Sequence, residues 1–177
     1  MVLDSKCSGL TDERTRSFEG SMLSEIAFPI GGISTGTVSL GGRGNLRDWE
    51  IFNRPGKGRD LPYTFFSIWF REEGSKPVSR VLESRIPPPY RGSHGIPWSY
   101  VPGLPRLAKT RFRGEYPFAR IDFEDNIPLE ISLEAFNPLI PLNEKDSGLP
   151  VAIFKWKVRN RSARRIRLTL AMSLLNP

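Results

Sequence analysis

The side chains in this 177-residue sequence best suited to acid–base chemistry are three carboxylate pairs at even spacing: Asp48 with Glu50, Asp122 with Glu124, and Glu130 with Glu134. Two carboxyl groups cleave a glycosidic bond when they flank it from opposite sides, about 5 to 5.5 Å apart for retention and wider for inversion. Each pair here lies within one extended run, where even spacing turns both groups toward the same face. Such pairs describe solvated strand faces. The segment Arg47-Asp48-Trp49-Glu50 stands apart, because it sets charges beside an indole just after a glycine-rich turn. An aromatic face bordered by hydrogen-bonding groups is what a sugar ring favours, so Arg47, Asp48, Trp49 and Glu50 are the candidate substrate-binding residues. A buried Trp among satisfied ion pairs accounts for the same four residues and is the favoured alternative.

Other chemistries are limited by what the chain lacks. Cys7 is the only cysteine and His94 the only histidine. No internal disulfide or cysteine-rich zinc site can form, and any metal has at most one histidine ligand; neither a metal nor a cofactor is expected. The run Gly31-Gly32-Ile33-Ser34-Thr35-Gly36-Thr37 has the glycine spacing of a phosphate loop. A phosphate loop needs Lys after the last glycine and then a helix, whereas Thr37 follows and the next residues alternate as a strand. Gly31, Gly32 and Gly36 therefore mark tight backbone packing or a bulge, and with it a candidate surface for docking another domain.

The net charge of +7 is local. Lys155, Lys157, Arg159, Arg161, Arg164, Arg165 and Arg167 carry seven positive charges with no acid among them; the other nineteen cations match the nineteen acids. On a strand, Lys155, Lys157 and Arg159 share one face while Phe154, Trp156 and Val158 share the other. This describes a half-buried strand with a basic outer face, a docking surface rather than a nucleic-acid site.

The elements that must position these residues are strands. Short runs rich in β-branched and aromatic residues recur between Gly, Pro, Asn and Asp, and no window of 11 or more residues keeps a helical period. Strands are predicted at 24–28, 34–40, 49–52, 63–70, 78–82, 108–113, 118–123, 129–136, 151–158 and 166–173, an all-β antiparallel sandwich. Residues 160–163 offer turn chemistry and predict a hairpin joining the last two strands. Residues 86–106, with six prolines and three glycines, predict a long surface loop pinned by Trp98, Tyr100 and Leu104. Residues 1–20 predict a flexible lead-in, with structure beginning near Met22. No apolar run approaches a membrane span and no secretion signal is evident, which makes the expected location cytoplasmic.

Residues 26–55, above all Gly31-Gly32-Ile33-Ser34-Thr35-Gly36 and Gly41-Gly42-Arg43-Gly44-Asn45-Leu46-Arg47-Asp48-Trp49-Glu50, resemble the opening signature of glycoside hydrolase family 116, which includes β-glucosidases related to the non-lysosomal glucosylceramidase. The resemblance continues through Gly103-Leu104-Pro105-Arg106, Gly114-Glu115-Tyr116-Pro117-Phe118-Ala119, Leu133-Glu134-Ala135-Phe136-Asn137-Pro138 and Asp146-Ser147-Gly148-Leu149-Pro150. Ser34 departs from it, standing where the family pattern has Gly; if that position needs a positive φ, Ser is strained there. The resemblance implies an amino-terminal β-sandwich (21–177, truncated) packed on a carboxy-terminal (α/α)6 catalytic domain, the missing partner. It also implies retaining hydrolysis of β-glucosides by a Glu nucleophile and an Asp acid/base. Both belong to the helical domain, so no catalytic residue carries over to this chain. The alternative is a stand-alone carbohydrate-binding or scaffold sandwich.

Overall fold

The computed structural model describes residues 16–90 and 95–175. In chain order its strands are β1 (Ser17–Phe18), β2 (Ala27–Ile30), β3 (Thr37–Gly41), β4 (Leu46–Glu50), β5 (Phe65–Glu72), β6 (Val78–Ser84), β7 (Arg106–Leu107), β8 (Lys109–Glu115), β9 (Phe118–Glu124), β10 (Leu129–Phe136), β11 (Ile153–Asn160) and β12 (Ile166–Ser173). A single helical turn, α1 (Glu144–Ser147), precedes β11, and 3-10 turns occupy Gly20–Glu25 and Trp98–Tyr100. The strands form a five-stranded sheet (β1-β8-β9-β10-β11), a four-stranded sheet (β12-β5-β6-β7) and a three-stranded sheet (β2-β3-β4). All pairings are antiparallel except β6 with β7. The chain is an all-β, sandwich-like domain.

Alternation builds the core. Ile131, Leu133 and Ala135 on β10 stand opposite Phe123, Ile121 and Ala119 on β9, and all six are buried. They belong to one cluster with Ile68, Phe70 and Leu82 of the facing sheet. Burying each Leu, Ile or Phe of this cluster stabilises the fold by about 1.5–3 kcal/mol. At the join of the two sheets, Phe66 packs on Phe154 and Trp156 with ring centroids 5.2 and 5.3 Å apart.

The β3–β4 turn is driven into the other end of the sandwich. Ser84 N–H donates to the Arg43 carbonyl at 2.9 Å, and the Thr110 hydroxyl reaches the Gly42 carbonyl at 3.1 Å. Gly44 has φ +94°, and a Cβ there would press on the Leu82 carbonyl and the Phe123 ring. The glycines around Arg43 thus let backbone enter a space already filled by side chains, and Arg43 goes in with them.

Several expectations are corrected. The predicted hairpin joining the last two strands does not form: β11 pairs with β10, and β12 pairs with β5 in the opposite sheet. The turn chemistry is present, since Asn160 accepts from Ser162 N–H and donates to the Arg164 carbonyl. The connection instead crosses between sheets, with Arg161 N–H bonded to the Pro128 carbonyl and the Arg165 carbonyl bonded to Glu73 N–H. Alternation specifies which face a strand buries, and both sheets offer the same interior, so the pattern cannot choose the partner. Order begins earlier than Met22: Ser17 and Phe18 pair with Arg113 and Phe112. Residues 24–25 end a 3-10 turn that buries Leu23, and the strand starts at Ala27. Ser34 to Gly36 form a turn rather than strand, with Ser34 at φ +62°; a non-glycine residue there carries the strain foreseen for Ser34. Lead-in residues 1–15 and His94 lie outside the described residues.

One margin of the sandwich is open. β11 and β12 are the outermost strands of their sheets on the side where Phe66 meets Phe154 and Trp156. Leu168, Leu170 and Met172 stand in register with Phe70, Ile68 and Phe66 and share their inward face. Yet they remain 39%, 39% and 44% exposed while Ile68 and Phe70 are buried.

Candidate polar pocket beside the β3–β4 turn

A bulge decides where the four candidate substrate-binding residues point. Thr37 pairs with Glu50 and Ser39 with Arg47, so β4 carries one more residue than β3 between these pairs, and Asp48 takes φ +52°. An extra residue in one strand breaks alternation. Asp48 and Trp49 are consequently both buried, while Arg47 and Glu50 are half-buried. The even spacing of Asp48 and Glu50 therefore does not give them a common face.

Each then has a separate task. Trp49 packs in the hydrophobic core, and its Nε1 has no hydrogen-bond partner among the described residues. Asp48 accepts Gly58 N–H at 2.6 Å and pairs with Arg47 Nε at 3.4 Å. Glu50 accepts Lys57 Nζ at 2.9 Å and Gly56 N–H at 3.4 Å. The Lys57 hydrogen bond, helped by Gly56 N–H, holds the Glu50 carboxyl below its usual range, and the same bond raises Lys57. The two carboxylates thus fasten the loop after β4, and Arg47 alone of the four lines a cavity.

That cavity, 230 Å³, lies between the β3–β4 turn, the loop at Gly58 and Asp60, and the long loop after β6. Its polar lining is Arg43, Asn45, Arg47, Asp60 and Tyr100; Ile86, Pro87, Pro89, Tyr90 and Pro97 form the apolar wall. Glu83, itself buried, sets the electrostatics by pairing with Arg43 at 3.5 Å and accepting from Arg106 Nε at 3.3 Å. Burial pushes the Arg43 guanidinium below its ordinary pKa, against the attraction of Glu83. Arg43 spends Nη1 on Glu83 and on the Ser84 carbonyl at 3.2 Å; its Nε and Nη2 make no hydrogen bond among the described residues. Arg106 donates to the carbonyls of Tyr100, Val101 and Leu104 and so pins the long loop. Tyr100 in turn donates its O–H to Asp60. Burial first, and this hydrogen bond second, push the Tyr100 phenol up to about 12.

The long loop is held as foreseen at Tyr100, but Trp98 and Leu104 stay exposed at the surface, Trp98 against Tyr63. Sequence inspection gave no role to Arg43 or Asp60. The available signal for Arg43 was its place between Gly42 and Gly44, since a charged residue amid turn glycines follows the backbone wherever they allow it to go.

The candidate docking residues fall elsewhere. A Cβ on Gly31 would overlap the Gly36 carbonyl, and one on Gly32 the Leu149 carbonyl, while Gly36 at φ +94° sits 2.8 Å from Glu50 O by the same measure. The glycine run is close backbone packing, as its sequence suggests. Lys155, Lys157 and Arg159 lie on the outer face of β11, where Lys155 meets Glu134 at 3.6 Å and Arg159 meets Glu130 at 3.9 Å. The acids missing from the basic run are thus supplied by β10 across the sheet.

A family model described as "beta-glucosidase 2, glycosyl-hydrolase family 116 N-term" matches residues 27–177, which include the bulged β4, the turn bearing Arg43 and both open strands. The chain therefore belongs to the family 116 glycoside hydrolase N-terminal domains.

Proposed function

We propose that this chain is the non-catalytic amino-terminal domain of a retaining β-glucosidase acting on β-glucosides, glucosylceramide-like ones included, beside a carboxy-terminal (α/α)6 domain that supplies the Glu nucleophile and Asp acid/base. The family match over residues 27–177 carries this reading. The disposition of the carboxylates supports it. Asp122 pairs with Arg113 and Arg120, Glu124 with Arg111, Glu130 with Arg159 and Arg161, and Glu134 with Lys155. Each of these groups is tied to a cation on the same sheet face, and no two of them face each other across a cleft wide enough for a sugar ring. The glycine turn and the basic outer face of β11 are the surfaces we assign to docking the catalytic domain.

The test is turnover of an aryl β-glucoside. The 177-residue chain is expected to give none above buffer, and a protein that also contains the helical domain is expected to be active. Turnover by the short chain, abolished by Asp48→Asn or Glu50→Gln, would overturn the proposal.

A further inference from the structure

We propose that the cavity between Arg43, Asn45, Asp60 and Tyr90 is a binding site for one neutral pyranoside or comparable cyclic polyol. Size comes first. At 230 Å³ the cavity exceeds the roughly 150 Å³ known to admit a benzene ring, so it has room for a six-membered ring with hydroxyl substituents.

Charge narrows the class. Two arginines on the wall might suggest an anion, but Arg43 is already opposed by Glu83, Arg47 by Asp48, and Asp60 also lines the cavity. The surroundings are neutral as a whole, so an anion would add an uncompensated charge. A wholly apolar ligand fails for the opposite reason, because it would leave Arg43 Nε and Nη2 and the Asn45 amide without partners and would cover the Asp60 carboxylate with only the Tyr100 O–H to satisfy it. A ring of hydroxyls meets both conditions. Each hydroxyl donates and accepts, matching N–H donors on Arg43 and an acceptor on Asp60, which the Tyr100 O–H holds in place. The opposite wall, Pro87, Pro89 and Tyr90, offers apolar and aromatic surface to the C–H face of the ring.

The proposal stands on the cavity alone and does not depend on where hydrolysis occurs. It is tested on the 177-residue chain, labelled with nitrogen-15 and titrated with methyl β-D-glucopyranoside, with inorganic phosphate as the comparison. Saturable shifts of the Gly58 and Tyr100 amides are expected with the glucoside and not with phosphate. Tyr90→Ala removes only a half-exposed ring from the wall, and is expected to weaken the glucoside at least about tenfold while the rest of the spectrum stays dispersed. No saturable shift up to about 100 mM glucoside, where even millimolar affinity saturates, would overturn the proposal. So would saturation by phosphate in place of the glucoside, or an affinity unchanged in Tyr90→Ala. No product is measured, so absence of hydrolysis by the chain bears on the proposed function and leaves this result intact.

Discussion

The corner holding Arg43 and the margin formed by β11 and β12 solve opposite problems. At the corner the chain buries charge and gives it partners: Glu83 stands between Arg43 and Arg106, Arg106 ties down three carbonyls, and Tyr100 holds Asp60. At the margin the chain makes a regular strand of apolar residues and leaves Leu168, Leu170 and Met172 more than a third exposed. Pairing of polar groups fixes the corner's stability. At the margin, backbone pairing to β5 is complete, and only hydrocarbon burial is left unfinished.

Three substitutions separate the two regimes. The largest effect belongs to Glu83→Ala, which leaves two buried guanidinium groups without their shared carboxylate. It is expected to cost about 3–5 kcal/mol in denaturant unfolding, and a loss below about 1 kcal/mol would mean that water already reaches the pair. Next, Ile68→Ala in the closed part of the four-stranded sheet is expected to cost about 2–5 kcal/mol, whereas Leu170→Ala, its register partner on β12, is expected to cost about 1 kcal/mol. Equal losses would show that something covers the margin.

The smallest effect is a change with pH. The Tyr100 phenol titrates near 12 in the folded chain against an ordinary value near 10. The folded state therefore keeps the proton longer than the unfolded one. Its contribution to stability is complete below pH 10 and disappears as the pH rises through 12. Tyr100→Phe is expected to flatten the fall in stability between pH 10 and 12, and Leu170→Ala to leave that slope as it is. An unchanged slope in Tyr100→Phe would show that the phenol is not the group responsible.

How much of this was legible in the sequence follows from the range of the interactions. Seven of the strands lie close to where alternation puts them, because facing inward or outward is a local property. The small shifts at β2, β3 and β4 trace to backbone that composition does not report, namely a 3-10 turn before Ala27 and positive φ at Ser34, Asp48 and Phe52. The candidate site was less legible. Arg47-Asp48-Trp49-Glu50 drew notice for its mixture of charge and indole, but one bulge sent Trp49 into the core and left only Arg47 at the cavity. The residues that build the cavity come from separate stretches of the chain, at 23–24, 43–47, 58–60, 86–90 and 96–100. Their meeting depends on the β3–β4 turn entering the sandwich, and no local spacing announces it.

The pairing of β5 with β12 also sets a clock. Ser67 finds its partner at Ala171, about a hundred residues further along the chain. At a synthesis rate of roughly 5–20 residues per second, that interval lasts roughly 5–20 s. For all of it Phe66, Ile68 and Phe70 sit on a strand with one unpaired edge, the kind of surface that joins the wrong neighbour when neighbours are concentrated. On the ribosome, then, the strand that carries Ile68 and Phe70 into the core is the one left waiting for β12.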